Sequence, residues 1–223
     1  MCTGKCSQAI GVSLYPLSLI CIAANAILFF PGWSTEPSKY PGEQISAEVR
    51  NLAGIIGGGI LVLIPAIHIQ ATGRKGCCSS RVGMFLSILF AAIGLTGSLF
   101  CLVMSVVGLF RGPVCLYDPS TLGATAVTHG NESATHSLIW GRPFERPLEQ
   151  INNESYLFHH ELWSICEEPP NVVEFNVILF SIQLAAGGVE VVLCFIQMLN
   201  GLFGCICGTC RREEDEEKKE LKL

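Results

Sequence analysis

Four long apolar stretches constrain this chain more than any other feature of its sequence. They cover residues 9–30, 52–71, 84–110 and 175–200. His68 and Glu190 are the only acidic or basic residues within them. Each stretch is close to the ~20 residues with which a helix crosses a hydrocarbon layer about 30 Å thick. Because lipid offers a backbone no hydrogen-bond partners, each stretch should be a helix, and the sequence predicts an all-α membrane protein with a four-helix transmembrane bundle.

The distribution of lysine and arginine predicts which connecting segments face the cytoplasm. Nine of the 14 Lys and Arg residues fall in the segments 1–8, 72–83 and 201–223. The other five are spread over the longer segments 31–51 and 111–174. Positive residues are retained on the cytoplasmic side of a membrane. We therefore expect both termini in the cytoplasm and the longer segments to be outer loops. Residues 1–223 would then form one four-span domain in the plasma membrane or an endosomal membrane.

The predicted topology sorts the 12 cysteines by compartment. Only Cys115 and Cys166 fall in an outer loop, and two thiols in an oxidising compartment most economically form one disulfide. This bond would close the large loop. The outer part of the molecule is therefore predicted to be a small, disulfide-closed extracellular loop.

Seven further cysteines are predicted to face the cytoplasm beside the span ends. They are Cys2, Cys6, Cys77, Cys78, Cys205, Cys207 and Cys210. Their nearness to the bilayer surface predicts reversible S-palmitoylation. Metal binding by Cys205-x-Cys207-x-x-Cys210 is the alternative, but zinc sites prefer paired Cys-x-x-Cys units. We therefore expect no bound metal and no other cofactor.

Small residues predict where the spans pack, because helices in lipid associate through close backbone contact. The candidates are Gly54, Gly57, Gly58, Gly59, Gly94, Gly97, Gly187 and Gly188. Gly54 and Gly58 have the GxxxG spacing of packed membrane helices. This spacing serves a bundle within one chain or a seam between two copies equally well, and the sequence leaves both open.

Five polar side chains are predicted to lie at membrane depth. They are Glu190, Asn25, Gln183, His68 and Gln197. Counting the helical rise from the span ends puts Glu190 at the depth of Ser18. An intramembrane carboxyl group is a functional candidate by default, so a channel or transporter that uses Glu190 and the polar span residues is one hypothesis. A single carboxyl group without a counter-ion does not make a transport path, which favours a structural hydrogen bond to a neighbouring helix.

The loop 111–174 is the only segment long enough to recognise a partner outside the membrane. It carries two N-glycosylation sequons, at Asn131 and Asn153. Trp140, Tyr156, Phe158 and Trp163 could anchor a small cap. At the other end of the chain, Leu221-Lys222-Leu223 fits the apolar ending that some PDZ domains accept. The sequence shows no catalytic grouping, phosphate loop or zinc-protease motif, so we expect no enzymatic activity. Its basic clusters are too small to indicate nucleic-acid binding.

Several motifs resemble one known family over nearly the whole chain. In order they are Met1-Cys2-Thr3-Gly4-Lys5-Cys6, Phe29-Phe30-Pro31, Gly57-Gly58-Gly59 with Pro65, Gly76-Cys77-Cys78, Gly112-Pro113-x-Cys115-Leu116, Leu162-Trp163-x-x-Cys166-x-x-Pro169, Val172-Val173-x-x-Asn176-x-x-Leu179-Phe180-Ser181, Cys194-x-x-Gln197-x-x-Asn200-Gly201 and Cys207-Gly208. Together they resemble the transmembrane-four L-six family, tumour-antigen-like relatives of the tetraspanins.

The resemblance implies a non-enzymatic membrane organiser or adaptor. Such proteins bind integrins, growth-factor receptors or transporters laterally within membrane lipids, and they influence adhesion, motility, proliferation and signalling. Homo-oligomers are a further expectation. A claudin-like junction component is another alternative, but 31–51 contains Trp33 without the two cysteines of a claudin outer loop.

Overall fold

The computed structural model describes residues 3–33, 35, 44–72, 81–119, 138–145 and 155–207. Within these residues, four helices are long and apolar enough to cross a membrane, which confirms the predicted four-span architecture. The long helices are α1 (Thr3–Leu28), a second span that begins as a π-helix (Ala53–Ile60) and continues as α3 (Leu61–Thr72), α4 (Arg81–Arg111) and α5 (Val172–Cys207). A short helix, α2 (Ala47–Arg50), precedes the second span.

The second span is unusual because its first eight residues are π-helical. Gly54 and the run Gly57–Gly59 lie within this segment. Glycine has no Cβ to resist the altered backbone geometry, and π-helical turns are otherwise rare. Pro65 lies inside α3 and has no N–H to donate to the preceding turn. The span thus combines a widened glycine segment with a proline-interrupted one.

The end of α4 is set by a glycine–proline pair. Gly112 follows the last helical residue with φ of 73°, a left-handed conformation that glycine adopts without steric cost. Its N–H donates to the Gly108 carbonyl over 3.1 Å, which satisfies one of the last backbone acceptors of the helix. Pro113 comes next and cannot continue the helix. The chain leaves α4 here and enters the long connecting loop.

The contacts divide the chain into two compact units. The first, called the helical unit, comprises Met1–Ala23, Gly54–Leu102 and Gln183–Leu223. Every span contributes to one of its apolar clusters, with buried members Ile10, Leu14, Val62, Ala66, Ile69, Ala91 and Cys194. Since this cluster joins side chains from all four spans, the helical unit is a four-helix bundle.

The second compact unit, called the loop unit, comprises Ala24–Ala53 and Val103–Ile182. It contains an antiparallel two-stranded sheet, β1 (Cys115–Tyr117) with β2 (Ile139–Gly141), in which Leu116 lies opposite Trp140. A 3₁₀ segment, His160–Ile165, precedes α5. The predicted all-α architecture therefore carries a small sheet in the loop, which the sequence analysis did not predict.

Candidate functional site

Glu190 is held inside the helical unit with no exposed surface. Ser18 Oγ on α1 lies 3.5 Å from Glu190 Oε1, and Cys21 Sγ lies 4.0 Å from the same oxygen. Glu190 Oε2 has no hydrogen-bond partner among the described residues. These contacts join α5 to α1 at the depth that residue counting predicts. The geometry is that of a polar link between two spans.

A second polar cluster lies about two helical turns further along α5. The Gln197 side-chain amide donates to Ser7 Oγ over 3.1 Å and to Ser87 Oγ over 3.3 Å. The Asn200 amide also donates to Ser7 Oγ, over 2.8 Å. Gln197, Ser7 and Ser87 have no exposed surface. The cluster therefore ties together α1, α4 and α5. Lipid offers these polar groups no hydrogen-bond partner, so they are satisfied by one another.

The other predicted intramembrane polar residues have different surroundings. The His68 ring packs on Phe90 with 4.5 Å between ring centroids, and its Nε2 is buried without a hydrogen-bond partner in the described part of the chain. Gln183 and Asn25 are each 1% exposed. Neither side-chain atom of Asn25 has a hydrogen-bond partner within the described residues. Each of these residues therefore places buried polar atoms within a span.

Gly57 and Gly97 bring the second span and α4 into close contact. A Cβ added at either glycine would lie 2.6 Å from the carbonyl oxygen of the other, well inside van der Waals distance. The two backbones therefore touch, as in small-residue helix crossings. Neither glycine could be replaced by alanine without moving a helix.

Neighbouring glycines also make contacts within this chain. A Cβ at Gly58 would lie 2.9 Å from Cys21 Sγ and 3.1 Å from Cys101 Sγ. At Gly94 it would lie 3.0 Å from Cys194 Sγ. Looser contacts are made by Gly187 and Gly188, at 3.6 Å and beyond, and Gly59 packs on Ile22. Gly54, which shares the GxxxG spacing with Gly58, is also buried.

The loop unit is organised around the disulfide between Cys115 and Cys166, which the sequence predicts. The disulfide belongs to an apolar cluster whose other buried members are Phe144, Tyr156, Val172 and Val173. Leu116 on β1 donates its N–H to the Glu168 carbonyl over 2.8 Å and accepts from the Glu167 N–H over 2.9 Å. The bond and this bridge together hold both ends of the loop against the start of α5.

Tyr156 anchors the middle of the loop to the end of α4. Its hydroxyl donates to the Leu109 carbonyl over 2.5 Å, and its ring stacks on Phe144 with centroids 4.4 Å apart. The indole N–H of Trp163 donates to the Tyr156 carbonyl over 2.9 Å. Burial raises the pKa of the Tyr156 phenol, so the hydroxyl remains a donor at neutral pH. The predicted aromatic cap is thus built on Tyr156 and Trp163.

A buried carboxylate, Glu48, is the main site that sequence reasoning missed. Arg142 donates to it twice, from Nη2 to Oε2 over 2.7 Å and from Nη1 to Oε1 over 3.2 Å. Arg111 donates to Oε1 over 3.2 Å and pairs through Nε with Glu145 over 3.3 Å. We call Glu48, Arg111, Arg142 and Glu145 the ionic cluster. It connects α2, the end of α4 and the segment after β2.

Burial and ion pairing act in opposite directions on Glu48. The side chain is 2% exposed, and burial by itself would raise the pKa of its carboxyl. The hydrogen bonds and positive charge of Arg142, with the further hydrogen bond from Arg111, outweigh this effect and lower the pKa below its usual value. Glu48 is therefore charged at neutral pH. The residues next to Glu48 in the sequence give no sign of this pairing, because its arginine partners lie 63 and 94 residues away.

Several large apolar side chains are exposed on the loop unit. Phe158 is 80% exposed and Trp33 is 77% exposed, although Trp33 also makes an edge-on contact with Phe175 at 5.8 Å. On β2, Ile139 is 43% exposed and Trp140 is 37% exposed. Exposed apolar groups of this kind are suited to contact with lipid or with another protein.

Several predicted sites lie outside the described residues. They are the sequons at Asn131 and Asn153, the thiols Cys2, Cys77, Cys78 and Cys210, and the C-terminal Leu221-Lys222-Leu223. Cys207 is the last residue of α5. Cys6 is exposed near the start of α1, and Cys205 is half-buried near the end of α5. The described residues contain no group of three or more His, Cys, Asp or Glu side chains arranged to hold a metal ion.

Comparison with known proteins agrees with this architecture. The model of the L6 membrane protein family matches residues 1–211. Transmembrane 4 L6 family member 1 of Homo sapiens is 41% identical over 219 residues, covering 94% of this chain and 96% of that protein. Transmembrane 4 L6 family member 5 of Bos taurus is 39% identical over 219 residues, covering 96% and 98%.

A third relative, Transmembrane 4 L6 family member 4 of Rattus norvegicus, is 36% identical over 219 residues, covering 95% of each chain. No solved structure shows a significant match. The relatives' names describe membrane proteins and indicate no enzymatic activity. The match to the family model begins at residue 1 and continues past the end of the fourth span. It includes both cysteines of the disulfide. This chain is thus a multi-pass membrane protein and belongs to the L6 membrane protein family.

Proposed function

We propose that this protein is a non-enzymatic membrane organiser that binds other membrane proteins laterally and modulates adhesion, motility, proliferation or signalling. Integrins, receptors and transporters are the partner classes that we propose. The observation that carries the proposal is the complete burial of Glu190 and Gln197 in contacts between spans. Side chains used in this way hold a bundle together and are not available to a solute.

The surface of the helical unit supports the same proposal. The second span exposes Ile56, Ile60, Ile64 and Ile67, which are spaced so that they follow one face of the helix. Such a face can contact lipid or an apolar helix of another protein without burying a polar group. Since lipid and partner helices are equally apolar, small differences in packing decide which of them is bound.

The sidedness that we propose follows the positive-inside distribution of charge. Both termini would be cytoplasmic, and the loop unit would lie outside the plasma membrane or in the endosomal lumen. The sequons at Asn131 and Asn153 would then carry glycans, and the seven cytoplasmic thiols would accept acyl chains. A PDZ domain would be able to bind the C-terminus. The whole chain would act as one four-span domain.

Glycan mapping tests the orientation directly. Replacing Asn131 or Asn153 by glutamine should each remove one glycosidase-sensitive increment of apparent mass. Glutamine at 153 is a better choice than removal of Ser155, because Ser155 Oγ accepts the Leu157 N–H over 3.4 Å. In sealed, right-side-out vesicles, an added protease should not reach the C-terminal tail. Removal of the tail by this protease would place the tail and the sequons on one side and contradict the orientation.

Proximity labelling tests the organiser role itself. A labelling enzyme fused to the N-terminus should mark a reproducible set of membrane proteins. Alanine at all seven proposed acylation sites should reduce this set, because the span ends would lose the acyl chains that we propose hold the protein beside its partners. Thioester cleavage by hydroxylamine provides an independent measure of acylation. An unchanged labelled set in the seven-alanine variant would count against the proposal.

The rival function, a channel or transporter that uses Glu190, has a separate test. Purified protein in liposomes should show no ion or solute flux above that of empty liposomes. Glu190→Leu should destabilise the bundle through loss of the contact with Ser18, while flux remains at background. Flux that the wild type supports and Glu190→Leu abolishes would favour the rival function.

A further inference from the structure

Strand β2 lies at the edge of the two-stranded sheet. One side of β2 pairs with β1, and β1 is bridged on its own far side by Glu167 and Glu168. No strand within the described residues pairs with the far side of β2. The hydrogen-bonding groups on that side therefore decide what the edge can bind.

The register shows which backbone groups point outward. Leu116 uses both its N–H and its carbonyl on the Glu167–Glu168 bridge, so neither group faces β2. Leu116 and Trp140 are consequently a pair without hydrogen bonds between them, and in such a pair both residues direct their backbone groups away from each other. The N–H and the carbonyl of Trp140 thus point away from β1, at the open edge.

The edge also has the composition of a binding strand. Leu138, Ile139 and Trp140 are 44%, 43% and 37% exposed, and none of them is charged. The next charged residue along the chain is Arg142, whose guanidinium is held by Glu48. Natural proteins usually protect an open edge with lysine, proline or a bulge. Residues 138–141 have none of these.

We propose that β2 binds β2 of a second copy of this chain, antiparallel and centred on Trp140. The outward N–H and carbonyl of each Trp140 would pair with those of the other copy, forming a continuous four-stranded sheet across two molecules. Such a contact is isologous, since the same residues meet on both sides of a two-fold axis. The inference goes beyond the lateral binding of other proteins and does not depend on it.

Charge and confinement favour a second copy over an unrelated strand. In this register Ile139 faces Gly141 of the other copy, and Leu138 faces Arg142, so like charges do not oppose each other. Arg142 is already neutralised by Glu48. Two copies anchored in one bilayer are also confined to the same surface. A short edge with two hydrogen bonds can therefore pair at the high local concentration of a membrane.

Cysteine cross-linking in native membranes tests the register. In full-length protein, Trp140→Cys, Ile139→Cys and Leu138→Cys are oxidised with copper phenanthroline, and the dimer peptide is identified by mass spectrometry. Cα atoms of a hydrogen-bonded antiparallel pair are about 5.5 Å apart, which suits a disulfide. The Cα atoms of residue 139 in the two copies would be about 7–8 Å apart, at the limit of a disulfide. We expect a homotypic cross-link with Trp140→Cys that exceeds both others.

A matched pair of substitutions tests the backbone contact. Trp140→Pro removes the outward N–H and leaves the β1–β2 hydrogen bonds, whereas Trp140→Ala removes the same indole and keeps the N–H. Co-purification of two differently tagged copies should fall roughly tenfold with Trp140→Pro relative to Trp140→Ala, because two hydrogen bonds are lost per dimer. An intact Cys115–Cys166 disulfide in both variants controls for folding.

Three outcomes would overturn the proposal. These are cross-linking no greater at 140 than at 138 or 139, equal co-purification of the proline and alanine variants, and loss of a different labelled membrane protein with self-association unchanged. The last outcome would assign the edge to another partner. None of them bears on the organiser role, whose test uses the cytoplasmic thiols.

Discussion

Replacing Glu48 by glutamine should lower the free energy of opening of the loop unit by about 3 kcal/mol. The substitution keeps the size of the side chain and removes its charge. Arg142 would then retain one acceptor and lose its counter-ion in a place where its side chain is only 14% exposed. The cost arises mainly from this uncompensated charge, because water cannot fully solvate it.

The expected magnitude follows from the exposure of each partner. Removing one member of a buried pair costs about 3–5 kcal/mol, and the partial exposure of Arg142 puts Glu48→Gln at the lower end. Arg111 is 50% exposed, so water screens its ion pairs, and without it Glu48 would keep both hydrogen bonds from Arg142. Arg111→Gln should therefore cost about 1 kcal/mol or less. The two arginines bind one carboxylate, yet they should differ clearly in effect.

Hydrogen exchange of the loop amides measures these differences. The amides of Tyr117 and Ile139 lie in the sheet and exchange when the loop unit opens. A loss of 3 kcal/mol in the free energy of opening corresponds to about a hundredfold faster exchange, since each 1.4 kcal/mol is tenfold. The protein is compared with Glu48→Gln, Arg142→Gln and Arg111→Gln in the same detergent or nanodisc.

Two results would refute this reasoning. One is an acceleration below about fivefold for Glu48→Gln, which would mean that the ionic cluster contributes no more than a surface pair. The other is an equal effect of Arg111→Gln and Arg142→Gln, which would mean that exposure does not decide the strength of the two pairs. The double variant Glu48→Gln with Arg142→Gln should recover part of the loss, because no unpaired charge is then buried.

Four further predictions concern other contacts. Because its pKa is lowered, the stability that Glu48 contributes is complete above a pH of about 4.3 and is lost as the pH falls below that value, so corrected loop exchange should be constant between pH 7 and 5. Cys166→Ser should destabilise the loop by about 4 kcal/mol on the chain-entropy model, measured by the same exchange. Gly97→Ala should lower the thermal stability of the bundle by about 1–3 kcal/mol, whereas Gly188→Ala, whose Cβ would meet Leu102 at 3.8 Å, should leave it unchanged. Gln197→Leu should lower the free energy of unfolding, measured in mild detergent, by about 1 kcal/mol, and a stabilised variant would contradict the role of its hydrogen bonds.

Much of the helical unit could be predicted because the membrane restricts the solutions. Apolar length predicts the spans, and a constant helical rise predicts that Glu190 lies at the depth of Ser18. Which glycines make contact was less predictable. The GxxxG pair Gly54 and Gly58 has the favoured spacing, but it is Gly57 and Gly97 that bring two span backbones together. Spacing describes one helix, whereas a contact depends on how a second helix crosses it.

The loop unit was only partly predictable for a related reason. Two cysteines in one predicted compartment are enough to predict the disulfide, since there is only one way to pair them. Glu48 gave no comparable signal. Its position between Ala47 and Val49 in a short helix indicates neither burial nor a charged partner. The ionic cluster exists because the ends of three distant segments meet, and no local pattern encodes such a meeting.

Hydropathy, charge asymmetry and cysteine placement by themselves determined the number of spans, the expected orientation and the disulfide, because each depends on the composition of a segment and on the solvent it meets. The tertiary structure alone decided that Glu48 is paired with Arg142 and Arg111, that Tyr156 holds the loop to α4, and that no described strand pairs with the far side of β2. These features depend on distances between residues far apart in the chain, and only the packed backbone fixes such distances.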